Sequence, residues 1–206
     1  MATKDEILTR LLKEENYVSG EELARQTGVS RAAVWKAIKS LKKSGYDIEG
    51  VTKCGYKLKQ NNSLVTAEGV KALLEKDIEV THFDTVDSTN TYCKRLLADG
   101  KQGEFLVTAA KQTAGRGRQG KSFYSPSETG IYFSLVIRPD TSLQNAVTAT
   151  TAAAVAVCKA IEKTTDLKPK IKWVNDVYLN GKKVCGILTE ATTDFESGTV
   201  DSVIIG

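Results

Sequence analysis

Ser19-Gly20-Glu21-Glu22-Leu23-Ala24-Arg25-Gln26-Thr27-Gly28-Val29-Ser30-Arg31-Ala32-Ala33-Val34 is the run from which the N-terminal fold can be read. Ser19, with Glu22 three residues on, forms a capping box that opens a short helix. Leu23 and Ala24 turn inward, and Gly28 stops that helix. Ser30 caps the next helix, Arg31–Lys43, in which Val34, Ile38 and Leu41 share one face while Arg31, Trp35, Lys36, Lys39 and Lys42 lie mostly on the others. Two short helices across a glycine turn, the second of them basic, form a helix-turn-helix. Upstream, Ile7, Leu8, Leu11 and Leu12 predict a first helix at about 4–15. Downstream, two alternating runs, 46–51 and Gly55–Leu58, flank Thr52-Lys53-Cys54 and read as a hairpin wing with Lys53 near its tip. The remaining alternative is a plain helical protein–protein module.

Charge favours DNA over that alternative. Residues 1–60 hold twelve basic and eight acidic side chains, and the rest of the chain is neutral. Within the first sixty, residues 1–30 sum to −2 and residues 31–60 to +6. A basic block confined to the second helix and the wing is the footprint of a nucleic-acid module. Lys59-Gln60-Asn61-Asn62-Ser63 is a polar linker, giving expected domains at 1–60 and 64–206.

Composition narrows the rest. A chain of 206 residues, 41% hydrophobic and 26% charged with three prolines, is ordinary globular protein. Its longest uncharged stretch, 141–158, carries Gln144, Asn145 and several threonines, so no membrane span is expected. The N-terminus lacks an apolar core, so no signal peptide is expected either. Four scattered cysteines (54, 93, 158 and 185) read as reduced thiols of a cytoplasmic protein. His82 is the single histidine. A His-rich zinc site is thereby excluded, and any His-based triad would have to use that one residue. Catalysis, if present, rests on Arg, Lys, Asn and backbone donors, which suit phosphate and carboxylate chemistry.

Beyond residue 64 the pattern predicts helices near 66–76 and 89–98 and a long helix marked by Leu143, Ala146, Val147, Ala154, Val157 and Ile161. Strands are expected near 79–86, 105–110, 131–138, 170–173, 177–179, 183–190 and 199–205, with Asn180-Gly181 as a two-residue hairpin turn. This is an α+β layer domain: a mixed or antiparallel sheet with packed helices. Gly115-Arg116-Gly117-Arg118-Gln119-Gly120 matches G-x-G-x-x-G, but no helix opens in it, so dinucleotide binding is not expected. What remains is a loop whose glycines bring backbone N–H groups close to an anion while Arg116 and Arg118 offer bidentate donors. A surface loop with incidental arginines is the alternative.

Four motifs in order then become specific: Asp87-Ser88-Thr89-Asn90; Gln112 with Gly115-Arg116-Gly117-Arg118; Lys172-Trp173-Val174-Asn175-Asp176; and Lys183-Val184-Cys185-Gly186-Ile187-Leu188-Thr189-Glu190. With Ser30-Arg31-Ala32-Ala33-Val34 in front of them, the chain resembles the bifunctional biotin protein ligases that also repress the biotin operon. The resemblance implies the biotin/lipoate ligase-like, class II synthetase-like fold. It also implies a two-step reaction. Biotin and ATP give biotinyl-5′-adenylate with Mg²⁺, and the biotinyl group then passes to a lysine of a carboxyl-carrier protein.

Carried over residue by residue, the family pattern assigns Ser88, Thr89, Asn90 and Gln112 to the biotin rings. Gly115, Arg116, Gly117 and Arg118 form a loop over the adenylate. Lys183 is assigned to the biotin carboxylate and the phosphate, with Gly186 beside it. Phe123, Lys172, Asn175 and Asp176 go to the nucleotide side, and Lys183, Arg116 and Arg118 are the catalytic candidates; no resident metal ligands are assigned. DNA contacts fall on Ser30, Arg31, Ala32, Trp35, Lys36, Lys39 and Lys53, and a ligand-promoted homodimer on operator DNA is implied. Three positions depart from the pattern. Val174 replaces a proline, and Phe123 stands where tryptophan is common. The sequence also ends at Gly206, where relatives continue through the pocket floor into a C-terminal β-barrel, so an incomplete ligase domain is expected. Two other readings stay open: a non-catalytic, ligand-sensing DNA-binding regulator, and a lipoate ligase.

Overall fold

The computed structural model describes residues 3–59, 65–139, 143–193 and 199–206, with backbone alone over 143–147. Two compact units emerge, Met1–Val80 and Thr81–Gly206. Among the described residues no helix is long and apolar enough to cross a membrane.

In the first unit α1 (Thr3–Lys13), α2 (Gly20–Thr27) and α3 (Arg31–Lys43) precede the hairpin β1 (Ile48–Val51) and β2 (Gly55–Leu58). Both helix starts follow the caps in the sequence. Ser19 Oγ accepts from Glu22 N at 3.0 Å and Ser30 Oγ from Ala33 N at 3.2 Å. Gly28, at φ 67°, takes the left-handed C-cap of α2, where a Cβ would be strained. Ile7, Leu8 and Leu11 of α1 pack with Leu23, Val34, Ile38 and Leu41 beneath Ile48 and Leu58 of the wing. Val18 makes an isolated antiparallel bridge to Tyr56, on the edge of β2 away from β1.

The short helix α4 (Ala67–Leu73) belongs to this unit, whereas the sequence pattern set it at the head of the second. Its anchors are long-range: Lys4 pairs with Glu68 at 2.9 Å, and the Tyr46 hydroxyl meets Thr66 Oγ1. It also ends three residues before the expected 76, because Leu74 turns extended. The linker expected at 59–63 lies, apart from Lys59, outside the described residues.

The second unit is built on a five-stranded sheet in the order β3 (Glu79–Phe83), β4 (Phe105–Ala109), β5 (Tyr132–Ile137), β10 (Val200–Ile205), β9 (Thr189–Thr193). A three-stranded antiparallel sheet of β6 (Lys170–Lys172), β7 (Asp176–Leu179) and β8 (Lys182–Gly186) lies beside it. Alternation along β5 and β10 decides which helix covers which face. Val136 and Ile204 point to α5 (Thr89–Ala98) and pack with Cys93, Phe105 and Val107, while Ile137, Val203 and Ile205 point to the other side, with Ala149 of α6 (Leu143–Thr164). Burial pushes the Cys93 thiol up to about 12, which leaves it protonated and inert. Further along, α6 packs Ala154, Val157 and Ile161 against Val177, Cys185 and Ile187. Leu143, Ala146 and Val147, expected on the apolar face of this helix, have side chains outside the described residues.

Two strand expectations are corrected. The run 183–190 is two strands in different sheets, because Ile187 N donates to Asn175 O at 2.8 Å and Leu188 exchanges both backbone hydrogen bonds with Gly206, leading the chain from one sheet to the other. The strand expected at 79–86 ends at Phe83, and Val86 then makes a lone parallel bridge to Gln112. That bridge brings the segment before α5 next to the arginine loop.

Candidate active site

A cleft of about 940 Å³ opens in the second unit between the large sheet, α6, β8 and the loop that follows β4. Its polar end starts at the N-terminus of α5. Ser88 caps that helix, accepting from Thr91 N at 3.4 Å, and Ser88, Thr89 and Asn90 are all buried. Buried polar atoms must find partners, and here they find one another. Gln112 Oε1 accepts from Thr89 N at 2.9 Å and from Thr89 Oγ1 at 3.2 Å, and Gln112 Nε2 donates to Ser125 Oγ at 2.9 Å. Ser134 Oγ sits between Asn90 Oδ1 (2.5 Å) and Thr89 Oγ1 (2.7 Å). Asn90 Nδ2 donates to Leu188 O at 3.2 Å and to Glu190 Oε2 at 3.0 Å. The outcome is a fixed array of donors and acceptors at the head of a chamber whose other walls include Leu135, Ile137, Ala153 and Val157. Such a chamber suits a ligand with a polar head and an apolar body.

The loop after β4 forms the cationic rim. Gly115 is buried against the segment 123–125, and a Cβ there would stand 2.4 Å from Phe123 O and 2.7 Å from Ser125 Oγ, so only glycine fits. Past a bridge between Arg116 and Ser122, a single 3₁₀ turn at Arg118–Gly120 carries Gln119 at φ 56°. Arg116 pairs with Glu190 at 3.2 Å, and Arg118 donates to Asn175 Oδ1 at 2.9 Å. Lys183 reaches Asp176 Oδ1 at 2.8 Å, and Asn175 Nδ2 donates to the same oxygen at 2.9 Å. The Trp173–Val174 peptide bond just before Asn175 is cis. Burial pushes the Glu190 carboxyl up. Hydrogen bonds from Lys94 and Asn90, with the charges of Lys94 and Arg116, outweigh that and hold it below its usual value.

Of the residues singled out in the sequence, Ser88, Thr89, Asn90, Gln112, Arg116, Gly117, Arg118, Phe123, Asn175, Lys183 and Gly186 line the cleft. Gly115 lies behind the lining, and Asp176 stands one ion pair away. Lys172 is exposed, with Nζ 5.5 Å from the centre of the Tyr178 ring, and is not in the cleft wall. His82 is not in the wall either; its Nδ1 meets Thr108 Oγ1 at 2.8 Å. Sequence reasoning gave no role to Ser134, Ser125, Lys94 or Glu190. Ser134 carried a usable signal, a polar residue in phase with Val136 on the buried face of β5.

In the first unit Ser30, Arg31, Ala32, Trp35, Lys36, Lys39 and Lys53 are exposed, and Val34, Ala37, Ile38 and Leu41 of α3 face the core. Lys39 Nζ lies 5.0 Å above the Trp35 ring, and Lys53 takes the wing turn at φ 69°.

A three-helix winged unit, followed by an α+β unit with a polar-headed, arginine-rimmed cleft, defines the class: a helix-turn-helix protein joined to a ligase-type ligand-binding domain. The chain belongs to the biotin/lipoate A/B protein ligase family, whose model matches residues 82–206, and a helix-turn-helix domain model matches residues 3–57. It is 39% identical over 193 residues to the bifunctional ligase/repressor BirA of Bacillus spizizenii, covering 92% of this chain and 59% of that protein. To BirA of Escherichia coli it is 32% identical over 199 residues, covering 97% of this chain and 61% of that one. The biotin protein ligase of Aquifex aeolicus, solved with biotin and ATP, superposes with a TM-score of 0.50 at 31% identity, over 61% of this chain and 50% of that one. The chain thus spans about six-tenths of the length of these two relatives.

Proposed function

We propose that this chain carries the DNA-binding module, in its first unit, and the vitamin-and-nucleotide cleft, in its second, of a cytoplasmic biotin protein ligase that also represses transcription. The observation that carries the reading is the pairing, in one cleft, of the Ser88–Asn90/Gln112 polar array with the Arg116, Arg118 and Lys183 cations. The array offers fixed partners to the ureido ring of biotin, and the apolar walls take its aliphatic tail. At the other end, guanidinium and ammonium groups face the carboxylate and a nucleotide phosphate.

The reaction follows from that arrangement. A carboxylate oxygen of biotin forms a bond to the α-phosphorus of ATP while the bond from that phosphorus to the bridging oxygen breaks, its electron pair leaving with pyrophosphate. Negative charge builds up where Lys183, Arg116 and Arg118 offset it, and these groups supply the stabilisation that an imidazole would not. The lysine amine of a carrier protein then attacks the acyl carbon, the bond to AMP breaks, and the amine loses its proton to water. The arginine loop, held at Glu190 and Asn175, excludes water from the mixed anhydride. Mg²⁺ would arrive on the phosphates of ATP. Asp176, tied to Lys183, is the nearby carboxylate, and among the described residues no group of three His, Cys, Asp or Glu side chains could hold a metal on its own. Phe123 and Asn175 would border the nucleotide.

On DNA, α3 would enter the major groove, with Arg31 and Lys36 at base edges or phosphates and Lys53 of the wing on the backbone. Adenylate-promoted dimerisation would match a two-half-site operator. The test is incubation with biotin, α-labelled ATP and a carrier domain. Labelled adenylate, chased onto the carrier, is the expected result. Operator binding with no adenylate formed would favour the ligand-sensing regulator instead.

A further inference from the structure

Glu190 opens no motif and does not line the cleft, yet three groups converge on it. Lys94 Nζ of α5 lies 2.7 Å from Oε1, Asn90 Nδ2 donates to Oε2 at 3.0 Å, and Arg116 Nη1 reaches Oε1 at 3.2 Å and Oε2 at 3.3 Å. The three differ in kind. Lys94 and Asn90 sit one helical turn apart on a helix packed into the core, whereas Arg116 belongs to the glycine loop. With its side chain only 17% exposed, the carboxylate needs a counter-ion, and Lys94 supplies one whatever the loop does. The Arg116 contact is therefore one that the fold can make or release without stranding a buried charge. Both contacts of Arg116 use Nη1, which leaves its Nε and Nη2 donors for an anion in the cleft.

We propose that Glu190 is a positioning residue: fixed by Lys94 and Asn90, it holds Arg116 over the cationic end of the cleft and links that end to the polar array through Asn90. This rests on the ligase reading above. Through Asn90, the same carboxylate borders the Ser134–Thr89–Gln112 network, so the two ends of the cleft share one anchor. An anion bound by Arg116 meets a guanidinium already oriented, and Glu190→Gln removes the charge that orients it while its amide oxygen can still accept from Asn90 Nδ2.

Two readouts test it on the whole chain. Calorimetric titration compares biotin alone with a non-hydrolysable biotinyl-adenylate analogue. Glu190→Gln weakens the analogue about tenfold and changes biotin less than about twofold, and Glu190→Asp is intermediate. Limited trypsinolysis of ligand-free protein reads the loop directly. Cleavage after Arg116 and Arg118 is about fivefold or more faster in Glu190→Gln, and stays slow in Lys94→Met, where Glu190 and Arg116 remain together. Equal loss of both ligands, or equal acceleration in Glu190→Gln and Lys94→Met, makes the cluster a structural tie and overturns the proposal. Slow cleavage unchanged by Glu190→Gln overturns the loop contact itself. A wild-type chain that binds neither ligand overturns the ligase reading and, with it, any part for Glu190 in that reaction.

Discussion

Replacing Ser134 by alanine tests whether the polar array is held from behind. Its hydroxyl is fully buried and lies within hydrogen-bond distance of Asn90 Oδ1 and Thr89 Oγ1. Thr89 keeps Gln112 as a partner after the change, whereas Asn90 Oδ1 loses the hydroxyl that faces it. One lost hydrogen bond plus one buried, underused acceptor costs about 1–3 kcal/mol, and the space left by an oxygen is too small to admit water in its place. Taking about 2 kcal/mol, the melting transition of the second unit should fall by roughly 6–10 °C. If about half of that, about 1 kcal/mol, is felt as misplacement of Asn90 and Thr89, biotin affinity drops by about fivefold. Scanning calorimetry with and without biotin reads both. A lowered transition with affinity unchanged within about twofold would refute the link between Ser134 and the ligand end. No change in melting would refute the buried bond itself.

Three other predictions test separate parts of the account. Arg31→Ala should weaken operator binding by about five- to thirtyfold in a gel shift while adenylate formation stays nearly constant; a matching fall in adenylation would contradict separate modules. Lys183→Ala should cut adenylate formation by about a hundredfold or more and leave binding of the ligand-free protein to DNA intact, and equal loss of both would mean the change only unfolds the domain. Acid should destabilise the second unit. The Asp87 carboxyl is held below its usual 3.8 chiefly by its hydrogen bond from Arg95, and Glu190 lies below its usual 4.5 because Lys94 and Asn90 outweigh its burial. A carboxyl whose folded value is depressed stabilises the fold above the ordinary value, and that contribution is lost as pH falls through the folded one. Melting should therefore hold from neutrality down to about pH 5 and decline below it; a rise on acidification would reverse the sign.

The first unit was legible because its signals are local. Ser19, Gly28 and Ser30 act on neighbours three or four residues away, and the face of α3 follows from a 3.6-residue period. The cleft was legible as motifs, since Ser88, Gln112, Arg116 and Lys183 could be recognised in order and do line one cavity. What stayed hidden depends on register between distant segments. The residues holding Asn90, namely Ser134, Leu188 and Glu190, lie 44, 98 and 100 positions away, and no local pattern specifies that they meet. The break between β8 and β9 was hidden for a related reason. The apolar run continues through Gly186 to Leu188, and only the hydrogen bonds to Asn175 and Gly206 separate the two sheets. Likewise α4 reads as the start of a second domain until its contacts to Lys4 and Tyr46 assign it to the first.

The most direct measurement is a calorimetric titration of this chain with biotin and, separately, with lipoate, repeated on Gln112→Ala. If the array of Thr89, Asn90 and Gln112 reads a ureido head, biotin binds one to one, lipoate gives little or no heat, and the alanine variant loses most of the biotin signal. Equal heats for the two acids, or biotin binding untouched by Gln112→Ala, would contradict the account.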